Sequence, residues 1–336
     1  MLDVLTFALL NQQFIHQGLN HPSEARVKAL SLTNFERVAM SLNSSFPMPR
    51  LTVLAGLWLL TLGAAEVSAD CNFTRTIETQ LAVGSASSLV INALAGQLQV
   101  TGKQTDEIRV VGKVCVAEEE HLDLVRIDLQ AEDGSISLSA VIPNGRNGPY
   151  GSGSIDLRVT VPEGLLTRIS DTSGDMVVDN ASVEHIQDSS GDIEVSDIRS
   201  SLAIEDSSGD IDIRGMSGKL TLGDSSGDID VVDLQGDLLI KHDSSGDIDI
   251  SRVTGDVEIE QDSSGNIDIA DVDGQVIIGI DSAGDIDINK VGKSVTIGND
   301  GSGTVKVSDV KGDLSLANKG EGRTVARNIS GKTKGF

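Results

Sequence analysis

The chain has 336 residues, with 51 Asp and Glu against 26 Lys and Arg, for a formal net charge of −25. An acidic excess of that size repels nucleic acid and anionic membrane surfaces, so no nucleic-acid partner is expected and cations are the natural counterparts. The length allows one or two domains, and aromatic residues make up only 2% of it, too few for a sugar-stacking cleft.

The first distinctive segment is Arg50 followed by an apolar run from Leu51 to Ala65 and then Val67-Ser68-Ala69. A charged start, a short hydrophobic stretch and a small-residue site make a secretory signal peptide over 48–69, with cleavage expected after Ala69. The run is too short for a membrane-spanning helix, so no stable span is expected after cleavage. Met48 makes an ordinary start, and residues 1–47 are expected to be an upstream over-call of the reading frame or an extended n-region. Residues 1–69 carry four basic and four acidic groups, so the whole deficit of 25 lies from Asp70 onward. Export from a bacterial cytoplasm to the periplasm, cell surface or medium follows.

The two cysteines, Cys71 and Cys115, both fall in the exported part. An even count in an oxidising compartment favours a single disulfide between them. Loop-closure reasoning puts its contribution at about 3–4 kcal/mol. Segment 70–165 is rich in β-type pattern, with strands expected at 88–92, 97–101, 107–116, 125–130, 135–142 and 155–161. Between them, Glu118-Glu119-Glu120 reads as a solvated loop, and 144–153 as a Gly- and Asn-rich turn region. This part is expected to begin or cap the repeats of the C-terminal half.

From Asp171 onward the phrase Asp-Ser-Ser-Gly-Asp-Ile-Asp-Ile returns at nearly constant spacing. Its central glycines are Gly174, Gly191, Gly209, Gly227, Gly246, Gly265, Gly284 and Gly303, in steps of 17, 18, 18, 19, 19, 19 and 19 residues. A period of that size means a solenoid, each repeat being one coil stacked on the last. Counted from each glycine, positions +2, +4, +7, +11 and +13 are apolar, as in Ile248, Ile250, Val253, Val257 and Ile259. The pairs +2/+4 and +11/+13 alternate with period two and favour β-branched residues, which is strand behaviour. The last proline is Pro162, so nothing in the array interrupts a backbone ladder.

The expected fold is all-β, a right-handed parallel β-helix (β-solenoid) with coils of about 18–19 residues over 166–330. A two-sheet β-roll is the nearest alternative, and the two differ in whether position +7 forms its own short strand. The array fades after Gly322, where Thr324, Ala326 and Ile329 fill the apolar columns, and 331–336 form a basic tail.

The Ser-Gly-Asp-Ile phrase, the step Val161-Pro162-Glu163-Gly164 before it and the exported N-terminus resemble the bacterial putative-adhesin family. These are envelope proteins with a parallel β-helical repeat fold and largely unknown function, and the resemblance covers about residues 85–330. It implies a surface or binding role and carries no catalytic residue to transfer.

The acidic columns are the candidate site. Position −3 holds Asp171, Asp188, Asp206, Asp224, Asp243, Asp262, Asp281 and Asp300; position +1 runs from Asp175 to Asp285, with Asn266 in place of one Asp; position +3 holds Glu194, Asp212, Asp230, Asp249, Asp268 and Asp287. Stacked about 4.8 Å apart, like charges in such a ladder cost roughly 0.9 kcal/mol per neighbouring pair even in water. Calcium, which gathers oxygen ligands, is the functional reading. The structural reading is stronger: Asp before Ser-Ser-Gly accepts backbone N–H bonds in a turn, and +1 and +3 form the outward face between inward isoleucines. Calcium-binding β-rolls place Asp two residues after their last glycine, where this chain has an inward Ile or Val.

Accordingly no cofactor, metal or catalytic residue is assigned, with calcium kept as the candidate cation. No carboxylate stands out as an acid–base pair for sugar chemistry, and His121, His185 and His242 lack metal-ligand spacing. The sequence therefore describes a non-enzymatic exported protein, adhesin-like or scaffold, with an unidentified envelope partner. A calcium-stabilised repeat protein and a carbohydrate-active β-helix enzyme are the alternatives. Self-association through the solenoid ends is the remaining expectation about partners.

Overall fold

The computed structural model describes residues 71–143 and 153–336. The signal segment, its cleavage site after Ala69, the upstream residues and the loop 144–152 lie outside the described residues. The described chain is a parallel β-solenoid built from two sheets, A and B, of 13 strands each. Each coil supplies one strand to each sheet. In the coil after Gly246 these are Ile248–Val253 in sheet A and Val257–Asp262 in sheet B.

Register follows the glycine period: Ile248 pairs with Ile267, which pairs with Ile286, and the intervening Asp249, Asp268 and Asp287 pair in turn. Every inward column is closed to solvent. Ile248, Ile250, Val253, Val257 and Ile259 are each 0–2% exposed, and their counterparts as far as Leu316 are buried as well, whereas those of the last coil are only partly so. Position +7 forms no strand of its own. From the coil after Gly227 onward it ends the sheet A strand, one residue after a backbone corner at +6 held in the left-handed region, as at Asp233, Arg252, Asp271, Lys290 and Asp309. The coil therefore has two sheets and two turns.

The N-terminal part joins the same sheets. Strands β1 (Phe73–Ala82), β2 (Ser88–Asn92), β3 (Leu98–Lys103), β4 (Glu107–Val116), β5 (Arg126–Glu132), β6 (Ser135–Val141), β7 (Ser154–Pro162) and β8 (Leu166–Ser170) precede the regular coils. Of these, β3 and β7 enter sheet A in parallel, and β2, β6 and β8 enter sheet B in parallel. Beyond them the direction reverses: β4 runs antiparallel to β7, β1 antiparallel to β4, and β5 antiparallel to β6.

The six strands expected here are present within one or two residues at each end. β1 was not foreseen, because Phe-Thr-Arg-Thr-Ile-Glu-Thr-Gln-Leu-Ala alternates Thr and charge with few large apolar residues. The Glu118–Glu120 run stays exposed, but its expected loop is corrected to a 3-10 turn, Glu119–Leu124, that buries His121.

Cys71 and Cys115 are joined, with Cα atoms 5.3 Å apart, tying the residue before β1 to the end of β4. Closing a loop of 44 residues is worth about 4 kcal/mol by unfolded-state entropy. Cys115→Ser is expected to lower the unfolding free energy by about 2–4 kcal/mol, read from denaturant melts with and without reductant. Reductant that leaves the native protein's melt unchanged would count against the bond.

Candidate functional site

The repeated phrase divides, column by column, into separate physical roles. At the centre stands the glycine. Its φ runs from +117 to +149 along the array, and an added Cβ would meet the carbonyl oxygen of the glycine one coil earlier at 1.6–2.2 Å. The serine before it donates its hydroxyl to the coil below: Ser208 Oγ reaches the Ser189 carbonyl and Ser264 Oγ the Ser244 carbonyl, both at 3.1 Å. The Asp after it works along the stack. Asp228 Oδ1 accepts the Asp247 backbone N–H at 2.8 Å, Asp247 Oδ1 that of Asn266 at 2.7 Å, and Asn266 Oδ1 that of Asp285 at 3.1 Å. The +1 acids are thus a hydrogen-bond relay between coils, each bond offsetting part of the like-charge repulsion along the column.

The −3 column is different. Asp171, Asp188, Asp206, Asp224, Asp243, Asp262, Asp281 and Asp300 are all buried, at 0–6% exposure. Turn chemistry uses one oxygen: Ser189 N–H donates to Asp188 Oδ1 at 2.7 Å and Ser225 N–H to Asp224 Oδ1 at 2.6 Å. The second oxygen of Asp171, Asp188, Asp224 and Asp243 has no hydrogen-bond partner among the described residues. Burial drives their acidity down. Asp243 is pushed up to about 7 by burial and by the neighbouring charges of Asp262 and Asp224, against the opposing N–H groups of Ser245 and Ser244. Asp171 is likewise pushed to about 7, and Asp262 and Asp281 to about 6, with burial the first cause in each. The expectation that no carboxylate stands out is therefore corrected: an interior column does. It lies inside the coil corner, beyond the reach of a polysaccharide.

The +3 column faces outward from sheet A beside a shallow groove lined by Asp230, Asp249, Asp268, Asp287 and Asn289. Asp212 and Asp230 are paired with Arg214 and Asp287 with Lys306 at 3.5 Å. Among the described residues no cation pairs with Asp249 or Asp268. Both carboxyls are pushed up, first by desolvation and then by neighbouring acids, Asp268 and Asp230 for Asp249 and Asp287 for Asp268, the latter against the opposing charge of Lys306. The corner column at +6 is built oppositely, with Arg252 against Asp233 through two hydrogen bonds and Lys290 3.2 Å from Asp271. Of the solvent-facing acidic columns, +3 is the one whose middle members, Asp249 and Asp268, have no hydrogen bond or ion pair among the described residues; in the buried −3 column Asp206, Asp262 and Asp281 likewise lack a partner for either oxygen.

The carboxylates of the three columns do not gather into a three-ligand group. Among the described residues one trio has ligand atoms within 4.8 Å of one another, Glu118, Glu120 and His121 beside the 3-10 turn. The three histidines stay apart, His121 buried and His242 exposed with Nδ1 2.9 Å from the Asp224 carbonyl oxygen.

The Toastrack DUF4097 family matches residues 70–316, which is most of the chain and nearly the whole repeat array. The chain belongs to that family. Similar solved structures include a "putative adhesin" from Bacteroides fragilis, 17% identical, covering 75% of this chain and 97% of that one at a TM-score of 0.35. Another is a "putative cell adhesion protein" from Clostridium sporogenes, 11% identical, covering 78% of this chain and all of that one at a TM-score of 0.25. A third, a "putative lipid binding protein" from Parabacteroides distasonis, is 12% identical and covers 77% and 96% at a TM-score of 0.29. No curated protein matches the chain. The family match indicates no catalytic activity. No helix among the described residues is long and apolar enough to cross a membrane.

Proposed function

We propose that this Toastrack chain is an exported, non-catalytic envelope protein, a stiff adhesin-like or scaffold rod that engages its partner through the outward acid face of sheet A. The observation that carries this reading is the +3 column. The +1 acids are taken up by the inter-coil relay and the −3 acids are buried inside the coil, whereas Asp249 and Asp268 sit in like-charge register on an outward face with no hydrogen bond or ion pair of their own. Uncompensated charge that the fold does not use is retained for a cationic partner surface. The test is a triple variant, Asp230→Asn, Asp249→Asn and Asp268→Asn, compared with the native chain by proximity labelling in the cell envelope. The variant is expected to fold and to melt at the same or a higher temperature while losing its labelled partners. An unchanged set of partners, or native protein retained in the cytoplasm, overturns the reading.

A second reading rests on the same repulsion, which a divalent cation bridging adjacent coils would relieve. It predicts that calcium at about 1 mM, the range of extracellular calcium modules, raises the melting temperature by several degrees and that chelator reverses this. A melt insensitive to calcium removes it.

A further inference from the structure

The charge of the molecule is not spread evenly along the stack. Residues 71–303 carry 43 acids against 15 bases, a net of −28, whereas 304–336 carry seven bases against three acids, a net of +4. The change occurs column by column. Position −3, Asp through Asp300, becomes Lys319; position +1, Asp through Asp285 apart from Asn266, becomes Thr304 and then Arg323; position +3, acidic from Glu194 through Asp287, becomes Lys306 and then Val325. With Arg327, Lys332 and Lys334, the last coil (319–336) presents five cations against Glu321 alone.

At the opposite end, the segments that carry β1, β5 and the 3-10 turn (71–82 and 117–133) hold eight acids against Arg75 and Arg126. Among the described residues, both ends also leave sheet edges unpaired. Sheet A ends on β1 at one side and on the strand Thr324–Ile329 at the other; sheet B ends on β5 and on Thr333–Lys334. Apolar cover is incomplete at the same two places. Ile77, Leu81, Leu122, Ile127 and Leu129 at one end, and Ala326, Ile329 and Phe336 at the other, are only partly buried.

From these three coincident features we infer that the chain assembles head to tail, the basic last coil of one copy docking on the acidic antiparallel edge of a second copy. Strand directions are compatible with the contact. Two successive antiparallel pairings return β1 to the direction of the sheet A coils, so it meets Thr324–Ile329 of the other copy in parallel, while β5 meets Thr333–Lys334 antiparallel. The charges set the specificity: two basic ends repel, two acidic ends repel, and the mixed junction attracts. Such a contact is heterologous and does not close on itself, so it propagates as a filament along the solenoid axis. The inference is independent of any role for the sheet A face.

Lysine at a sheet edge also serves to block edge pairing, and the experiment separates the two roles. The full chain, as the cell processes it, is followed by analytical ultracentrifugation and negative-stain microscopy at about 20 mM and about 500 mM salt, where screening lengths differ severalfold. Linear oligomers at low salt that dissociate at high salt are expected. Arg323→Glu with Arg327→Glu and Lys332→Glu should give monomers, and so should Glu119→Lys with Glu120→Lys and Asp128→Lys. Mixing the two monomeric variants should restore filaments, because each then offers the sign that the other lacks; this recovery also rules out misfolding of either. Native protein monomeric at low salt, variants that assemble alone, or a mixture that stays monomeric each overturns the inference.

Discussion

Gly265→Ala is expected to lower the unfolding free energy by at least about 3 kcal/mol, and to open the array around its coil. Two costs combine there. The backbone holds φ at +134, and the new Cβ would lie 1.6 Å from the Gly246 carbonyl oxygen. Neither can relax locally, because the displaced carbonyl belongs to the coil below, which is bonded to the next one down. Gly164→Ala supplies the contrast, since nothing lies within 4 Å of its added Cβ, and a change of less than about 0.5 kcal/mol is expected. Denaturant midpoints of the two variants against native protein decide the matter; similar, small shifts for both would mean that the glycine column is dispensable.

The second large effect concerns pH. Asp243 and Asp171 titrate near 7 in the fold against about 3.9 in an unfolded chain. A raised carboxyl binds its proton more tightly when folded, so its stabilisation is complete below about pH 4, declines as pH rises, and is lost above about 7. The chain should therefore be more stable at pH 5 than at pH 8. On the acid side, Asp233, held low by Arg252, and Asp256, held low by the Gln275 N–H and by Lys293, act in the opposite sense and limit the gain below about pH 4. Asp243→Asn keeps an acceptor for the turn while removing the charge. It is expected to raise stability at pH 8 by about 1–3 kcal/mol and to flatten the profile between pH 5 and 8. A native profile with its maximum at pH 8 would refute the account.

The architecture was legible because a solenoid writes its geometry as a period. Gly246, Gly265 and Gly284 mark coils, and Ile248, Ile267 and Ile286 mark one inward column, with no tertiary information needed. The choice between one and two strands at the +7 side was not legible. It turned on a left-handed corner at +6, which residues as different as Asp233, Arg252 and Lys290 adopt, so composition gives no sign of it. The acidic columns looked alike in sequence, and their separation into buried turn, inter-coil relay and open face depends on depth. Asp262 and Asp268 are both one Asp among many, yet the first is fully buried at the strand end and the second faces outward. The antiparallel β1 escaped because an edge strand with one face uncovered carries a weak apolar signal.

The relay of bonds from each coil to its neighbours has a genetic consequence. Every polar contact of the Asp-Ser-Ser-Gly-Asp phrase is made within its own coil or one step up or down, and each inward side chain meets another aliphatic one. A coding segment of 57 nucleotides, three for each of 19 residues, can thus be duplicated or lost by unequal recombination between near-identical repeats with every surviving contact finding an equivalent partner. The length of this rod is a heritable quantity that lineages can adjust in single-coil steps, without inventing a new fold or a new core.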